Sequence, residues 1–117
     1  MANALPIRLR VIIPAVENAI SGSAFRPGDI LTSRSGRTVE IGNTDAEGRL
    51  ILADALTLAD EDHPDLIIDM ATLTGAARVA LGTEIPGLVS NNDEFAAGLQ
   101  ATALREADPL WHMPLWQ

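Results

Sequence analysis

Thr38-Val39-Glu40-Ile41-Gly42-Asn43-Thr44-Asp45-Ala46-Glu47-Gly48-Arg49-Leu50 joins two periodicities. Thr38 to Ile41 is β-branched and alternating, as a half-buried strand requires. Beyond it, Leu50, Ile51, Ala53, Leu56, Leu58 and Ala59 recur at the spacing of an amphipathic helix, with Asp54 and Asp60 facing out. Leu66-Ile67-Ile68-Asp69-Met70-Ala71 is then a short apolar run of the kind found in strands covered on both faces. Strand, helix and strand (38–41, 50–59, 66–71) predict a right-handed βαβ crossover with a parallel strand pair. Asp69 interrupts the last strand and is expected to bond a neighbouring backbone, because a buried bare carboxylate is costly.

The flanks extend this pattern. Ile7 to Ile13, bracketed by Pro6 and Pro14, predicts a strand with Arg8 and Arg10 on one face. Residues 14–28 form an irregular connection in which Glu17 and Asn18 serve loop hydrogen bonding. Asp29–Ser33 and Thr38–Ile41 predict a hairpin turning at Ser35-Gly36. His63 stands alone beside Pro64 in an acidic loop, as a solvated residue rather than a ligand. A small-residue helix from Ala76 to Leu81 should stop at Gly82, and Leu88 to Ser90 is another strand. Asn91 or Asn92 can cap a helix over 93–107 that gathers Phe95, Leu99 and Ala103 on one face. The fold class is therefore α/β, a partial mixed β-sheet flanked by helices, with the hairpin as its antiparallel component.

Bulk composition narrows the function. At 117 residues one domain is expected, burying roughly two-thirds of its unfolded surface. A net charge of −8 excludes a nucleic-acid or anionic-membrane surface, which needs clustered cations. No apolar run reaches the roughly 20 residues of a membrane span, and no basic region precedes an apolar signal core, so a soluble cytoplasmic protein is expected. Zero cysteines rule out disulfides, thiolate nucleophiles and Cys-ligated zinc. All eight basic side chains are arginine, so chemistry that needs a lysine is not complete in this chain. A nucleotide-binding module would want a glycine-rich phosphate loop, and neither G-x-G-x-x-G nor a Walker pattern occurs.

Asn43–Arg49 and Thr72–Gly75 both leave a strand's carboxyl end and enter a helix, the edge where open α/β sheets bind ligands. Thr44-x-x-Glu47 is a capping box, and acids in a first turn suit the helix dipole. A metal site is the other reading. In an extended loop Asp45 and Glu47 would share one side, close enough to converge on paired ions. Gly48 favours a close approach to the backbone, since glycine costs roughly 1 kcal/mol against alanine in a helix. Arg49 puts a cation where the dipole disfavours one, and its side chain should lean back towards both acids. Two carboxylates alone are too few for a divalent cation. From the residues alone, cap and ligand both remain open.

Asn43-Thr44-Asp45-Ala46-Glu47-Gly48-Arg49-Leu50 resembles the signature octapeptide of the leucyl aminopeptidase (cytosol aminopeptidase) family. The likeness continues through Pro14-Ala15-Val16-Glu17-Asn18, Arg26-Pro27-Gly28-Asp29, Leu52-Ala53-Asp54-Ala55-Leu56, Ala71-Thr72-Leu73-Thr74-Gly75-Ala76, Val79-Ala80-Leu81-Gly82 and Leu110-Trp111-His112-Met113-Pro114-Leu115. The resemblance implies that residues 1–117 are one partial catalytic domain of aminopeptidase/phosphorylase-like type. It implies a metalloexopeptidase that releases N-terminal, leucine-like residues from peptide substrates, with two Mn²⁺ or Zn²⁺ ions and a bicarbonate ion. On it, Asp45 and Glu47 are metal ligands, Arg49 holds the bicarbonate, the Leu73 carbonyl and Gly75 amide meet the substrate, and Thr72 lines the side-chain pocket. The complete enzyme would be a hexamer.

The family's site also uses a lysine and two aspartates as ligands and a second lysine on the carbonyl, which this lysine-free chain does not supply. His112 stands where arginine is expected. A fragment without activity of its own is therefore predicted; the competing class is a non-catalytic subunit or interaction module.

Overall fold

Elements that close their own hydrogen bonds form where the sequence places them. The structure, a computed structural model, describes residues 5–17 and 19–116; Asn18 of the predicted connection and Gln117 at the apolar tail lie outside them. The chain divides into two units, Met1–Leu73 and Thr74–Gln117.

In the first unit β1 (Ile30–Thr32) pairs antiparallel with β2 (Thr38–Glu40), in the register Ile30 to Glu40, Leu31 to Val39 and Thr32 to Thr38. The ladder runs on past β2, because Ile41 N–H donates to the Asp29 carbonyl and Gly28 N–H to the Ile41 carbonyl. Ile41, at 2% exposure, is the buried apolar side chain of this unit among the described residues. A 3-10 turn (Thr44–Ala46) leads into α1 (Glu47–Asp60). The hairpin's turn grips the far part of this helix. Arg34 N–H donates to the Asp54 carboxylate at 2.8 Å, and the Arg34 guanidinium makes a fork of two 2.8 Å bonds to Glu61. Asp54 is therefore half-buried under the turn rather than facing out, whereas Asp60 is exposed as expected. His63, at φ 47°, turns the chain away from the helix end ahead of Pro64, and it is exposed.

The predicted βαβ crossover is not formed among the described residues. Residues 7–13 and 66–71 are extended but belong to no strand, and most of their side chains are exposed. A parallel strand needs a non-local partner for its backbone groups, and neither segment finds one here. Asp69 is exposed and accepts no hydrogen bond among the described residues, so the expected buried cap is absent. Arg10 does leave its segment to pair with Asp62.

In the second unit α2 (Ala76–Leu81) ends at Gly82, whose φ of 85° suits glycine alone. α3 (Asp93–Arg105) starts from Asn92, whose side chain accepts the Phe95 N–H at 2.9 Å. Leu99 and Ala103 share its half-buried face as predicted, Phe95 is more exposed, and Ala96 is fully buried. The parallel pair arises in an unexpected place: β3 (Gly87–Leu88) pairs with β4 (Trp111–His112), within the tail. The Gln100 amide holds the Leu110 carbonyl at 3.1 Å, tying α3 to that pair. Helices and small sheets together bear out the α/β class.

The surface is far larger than one domain of this size should leave. The chain exposes 10179 Å². A folded monomer of 12.4 kDa exposes roughly 6,100 Å², and its unfolded chain about 18,000 Å². Even two separate globules of 73 and 44 residues would expose together only about 7,300 Å². The expected burial of two-thirds is thus not reached; the fraction is about 43%.

Candidate functional site

The charged stretch that opens α1 is built by a turn rather than an extended loop. Asn43 is extended (φ −144°, ψ 120°), and its side-chain oxygen accepts the Asp45 N–H at 2.9 Å. This local bond starts a 3-10 turn and carries Thr44 inside it, so Thr44 cannot cap. The Thr44–Glu47 capping box is not formed, and α1 begins without a side-chain cap. The missed residue is Asn43, whose signal was an Asx turn two residues ahead of the acid.

This changes the geometry expected of the carboxylates. Asp45 lies in the turn and is exposed, while Glu47 is the half-buried first residue of α1 with helical φ and ψ of −57° and −37°. The backbone between them is therefore a 3-10 turn running into a helix, not the extended loop expected. Arg49, in the first turn of α1, is exposed.

Gly48 behaves as its position in a helix suggested. A Cβ built there would lie 3.3 Å from the Leu73 Cδ2, so the absence of a side chain admits Leu73 against the helix. Thr72 and Leu73 thereby join Gly48, Ile51 and Leu52 in lining an open groove of about 440 Å³, with Ile12–Pro14 and Met70–Ala71 completing it. Two of the loops expected on one rim therefore meet, through apolar contact that the sequence left unassigned. Gly75 belongs to the second unit, where it precedes α2 and the Thr74 hydroxyl accepts the Ala76 N–H at 3.2 Å.

Electrostatic perturbation sits away from the carboxylate pair. The Arg34 guanidinium, by hydrogen bond and charge, lowers the Glu61 pKa, and Glu61 raises that of Arg34. Among the described residues no group of three His, Cys, Asp or Glu side chains could hold a metal ion. No helix among them is long and apolar enough to cross a membrane.

The whole of residues 1–117 matches the catalytic-domain model of the cytosol aminopeptidase family. The chain belongs to that family. It is 56% identical over 112 residues to a probable cytosol aminopeptidase of Xanthomonas oryzae pv. oryzae, covering 96% of this chain and 23% of that protein. A probable cytosol aminopeptidase of Xylella fastidiosa is 54% identical over the same shares. Among solved structures, cytosol aminopeptidase from Coxiella burnetii superposes with a TM-score of 0.80 at 55% identity, over 87% of this chain and 22% of that one. A variant of tomato leucine aminopeptidase gives 0.82 at 48% identity, over 88% and 20%. The chain thus spans about a quarter of the length of the curated relatives it matches.

Proposed function

We propose that this chain is the central piece of a metal-dependent aminopeptidase catalytic domain, releasing N-terminal, leucine-like residues from peptides in the cytoplasm. The observation that carries this is the family match over residues 1–117, with Asp45, Glu47 and Arg49 in its signature stretch. In this reading Asp45 and Glu47 supply oxygen ligands, and Arg49 offers a planar fork suited to the oxygens of bicarbonate. Thr72 bounds the side-chain pocket, and the Leu73 carbonyl and Gly75 amide orient the substrate backbone. The complete protein is a hexamer.

The donor set suits Mn²⁺ or Zn²⁺ in kind but not in number. Two carboxylates alone leave most of a divalent ion's coordination unfilled, so weak metal binding by this chain alone is expected. In a complete site, paired ions would bring the pKa of a bound water towards neutrality and stabilise both oxygens of the tetrahedral state.

The experiment supplies what the chain lacks. With Mn²⁺ or Zn²⁺ and a leucine anilide, the purified chain alone should show no turnover; activity there would sink the claim of dependence. Co-refolded with the part of the Coxiella burnetii enzyme that this chain does not match, it should turn over the anilide. Asp45→Asn or Glu47→Gln should then cut kcat/KM by about a hundredfold or more, as expected when a metal ligand is lost.

A further inference from the structure

Asn43 makes two hydrogen bonds that bracket Asp45. Its side-chain oxygen accepts the Asp45 N–H at 2.9 Å, and its main-chain carbonyl accepts the Ala46 N–H at 3.2 Å. The first fixes the peptide that carries Asp45, and the second closes the 3-10 turn over Thr44–Ala46. Glu47 follows without a break as the first residue of α1, where Ala46 makes no side-chain cap. Asp45 and Glu47 thus sit on one continuous turn-and-helix segment, and Asn43 supplies the side-chain bond that starts it. Asn43 is itself exposed, so it contributes a hydrogen bond rather than packing. The other asparagine cap is aimed differently. Asn92 accepts the Phe95 N–H, past the acids Asp93 and Glu94, whereas the bond from Asn43 lands on the acidic residue itself. Asparagine also offers this acceptor without charge, where an aspartate would add a third anion beside Asp45 and Glu47.

We infer that Asn43 is a positioning residue for the metal-binding carboxylates. Its bond to the Asp45 N–H holds the backbone beneath Asp45 and, through the turn, beneath Glu47, in the arrangement from which both meet divalent ions. Asn43 acts through the main chain and is not itself a ligand. Without that bond the segment must be ordered as the metal binds, and ordering is subtracted from affinity. The inference rests on the proposed reading of Asp45 and Glu47 as ligands; the bond from Asn43 to Asp45 does not.

The test reads metal affinity rather than turnover, on the intact chain. The probe is Mn²⁺ alone, whose unpaired electrons broaden the backbone amide resonances of residues near it even when binding is weak. Titration should broaden Asp45 and Glu47. Asn43→Ala should raise the Mn²⁺ concentration for half-maximal broadening by about threefold to tenfold, the cost of ordering one or two groups on binding. It should also speed exchange of the Asp45 amide, while the amides of α1 beyond Leu50 keep their chemical shifts. Asn43→Ser, which retains an oxygen able to cap, should restore most of the affinity. A role in folding alone would move the shifts of α1 together with the affinity, and that outcome overturns the inference. So does Asn43→Ala binding Mn²⁺ as tightly as the natural chain, or a folded Asn43→Ser that recovers nothing. Broadening at Asp45 and Glu47 that Asn43→Ala leaves unchanged sinks this role and spares the ligand reading. No broadening there in the natural chain sinks the ligand reading, and this role with it.

Discussion

Two regions of the first unit are made of similar residues and end differently. The hairpin and helix from Gly28 to Glu61 contain Ile30, Leu31, Val39 and Ile41, and they close a ladder, a turn and a helix on themselves. Segments 7–13 and 66–71 are at least as rich in Ile, Leu and Val, and among the described residues they stay unpaired. The difference lies in where the hydrogen-bond partner sits along the chain. A helix closes its bonds within four residues and a tight hairpin within about ten, whereas a parallel strand depends on a partner reached by a long connection. Apolar content makes a strand sticky, but it does not make it paired.

The contrast breaks most directly at Ile41 and Leu9. Ile41→Ala removes the buried side chain that seats the hairpin ladder and should destabilise the first unit by about 2–5 kcal/mol. Leu9→Ala, 74% exposed, should change stability by no more than about 0.5 kcal/mol in the free chain. Urea unfolding followed by circular dichroism measures both, and equal effects would abolish the distinction between the regions. A smaller effect is expected where the two regions touch. Gly48→Ala gains up to about 1 kcal/mol of helix propensity, less near a helix start, while its Cβ presses on Leu73 at 3.3 Å. Because Leu73 is 44% exposed and its Cδ2 is the end of a flexible side chain, it should yield. The expected outcome is a slightly raised melting temperature together with shifted Leu73 methyl resonances. A lowered melting temperature would show that the 72–73 segment is held more firmly than its exposure indicates.

The smallest effect belongs to the exposed Arg34–Glu61 pair. Glu61 has a pKa below its ordinary 4.5, chiefly through the hydrogen bond from Arg34. Its stabilising contribution is therefore fully present above about pH 4.5 and is lost as pH falls through the lowered folded value. Glu61→Gln should remove this acid-side dependence and leave neutral stability little changed, because exposed pairs contribute little and salt screens them. Thermal melts of both proteins between pH 3 and pH 7 would check this. Unchanged acid sensitivity in Glu61→Gln would assign it to other carboxylates.

How far the sequence could be read follows the same division. The hairpin turn at Ser35-Gly36, the stop at Gly82 and the Asn92 cap were legible because each is local backbone chemistry carried by one or two residues. The crossover was not, because apolar runs at 66–71 look alike whether or not a neighbouring strand exists. Thr44 looked like a cap because its spacing to Glu47 is right. Asn43, one residue earlier, captured the Asp45 N–H first and wound the loop into a 3-10 turn. The backbone under Asp45 and Glu47 is therefore a turn and a helix start rather than the extended loop expected. His112 illustrates a signal with no sequence counterpart: its Nε2 is buried without a partner among the described residues.

By itself, then, the sequence determined the family, through the order and spacing of its motifs, and the elements whose bonds close within a few residues. Tertiary structure alone decided that Leu73 packs where Gly48 has no side chain, that β3 takes β4 as its partner, and that 7–13 and 66–71 take none among the described residues. The physical reason is common to all three. Local hydrogen bonds are specified by the residues that make them, whereas a non-local contact exists only if another surface is present to receive it.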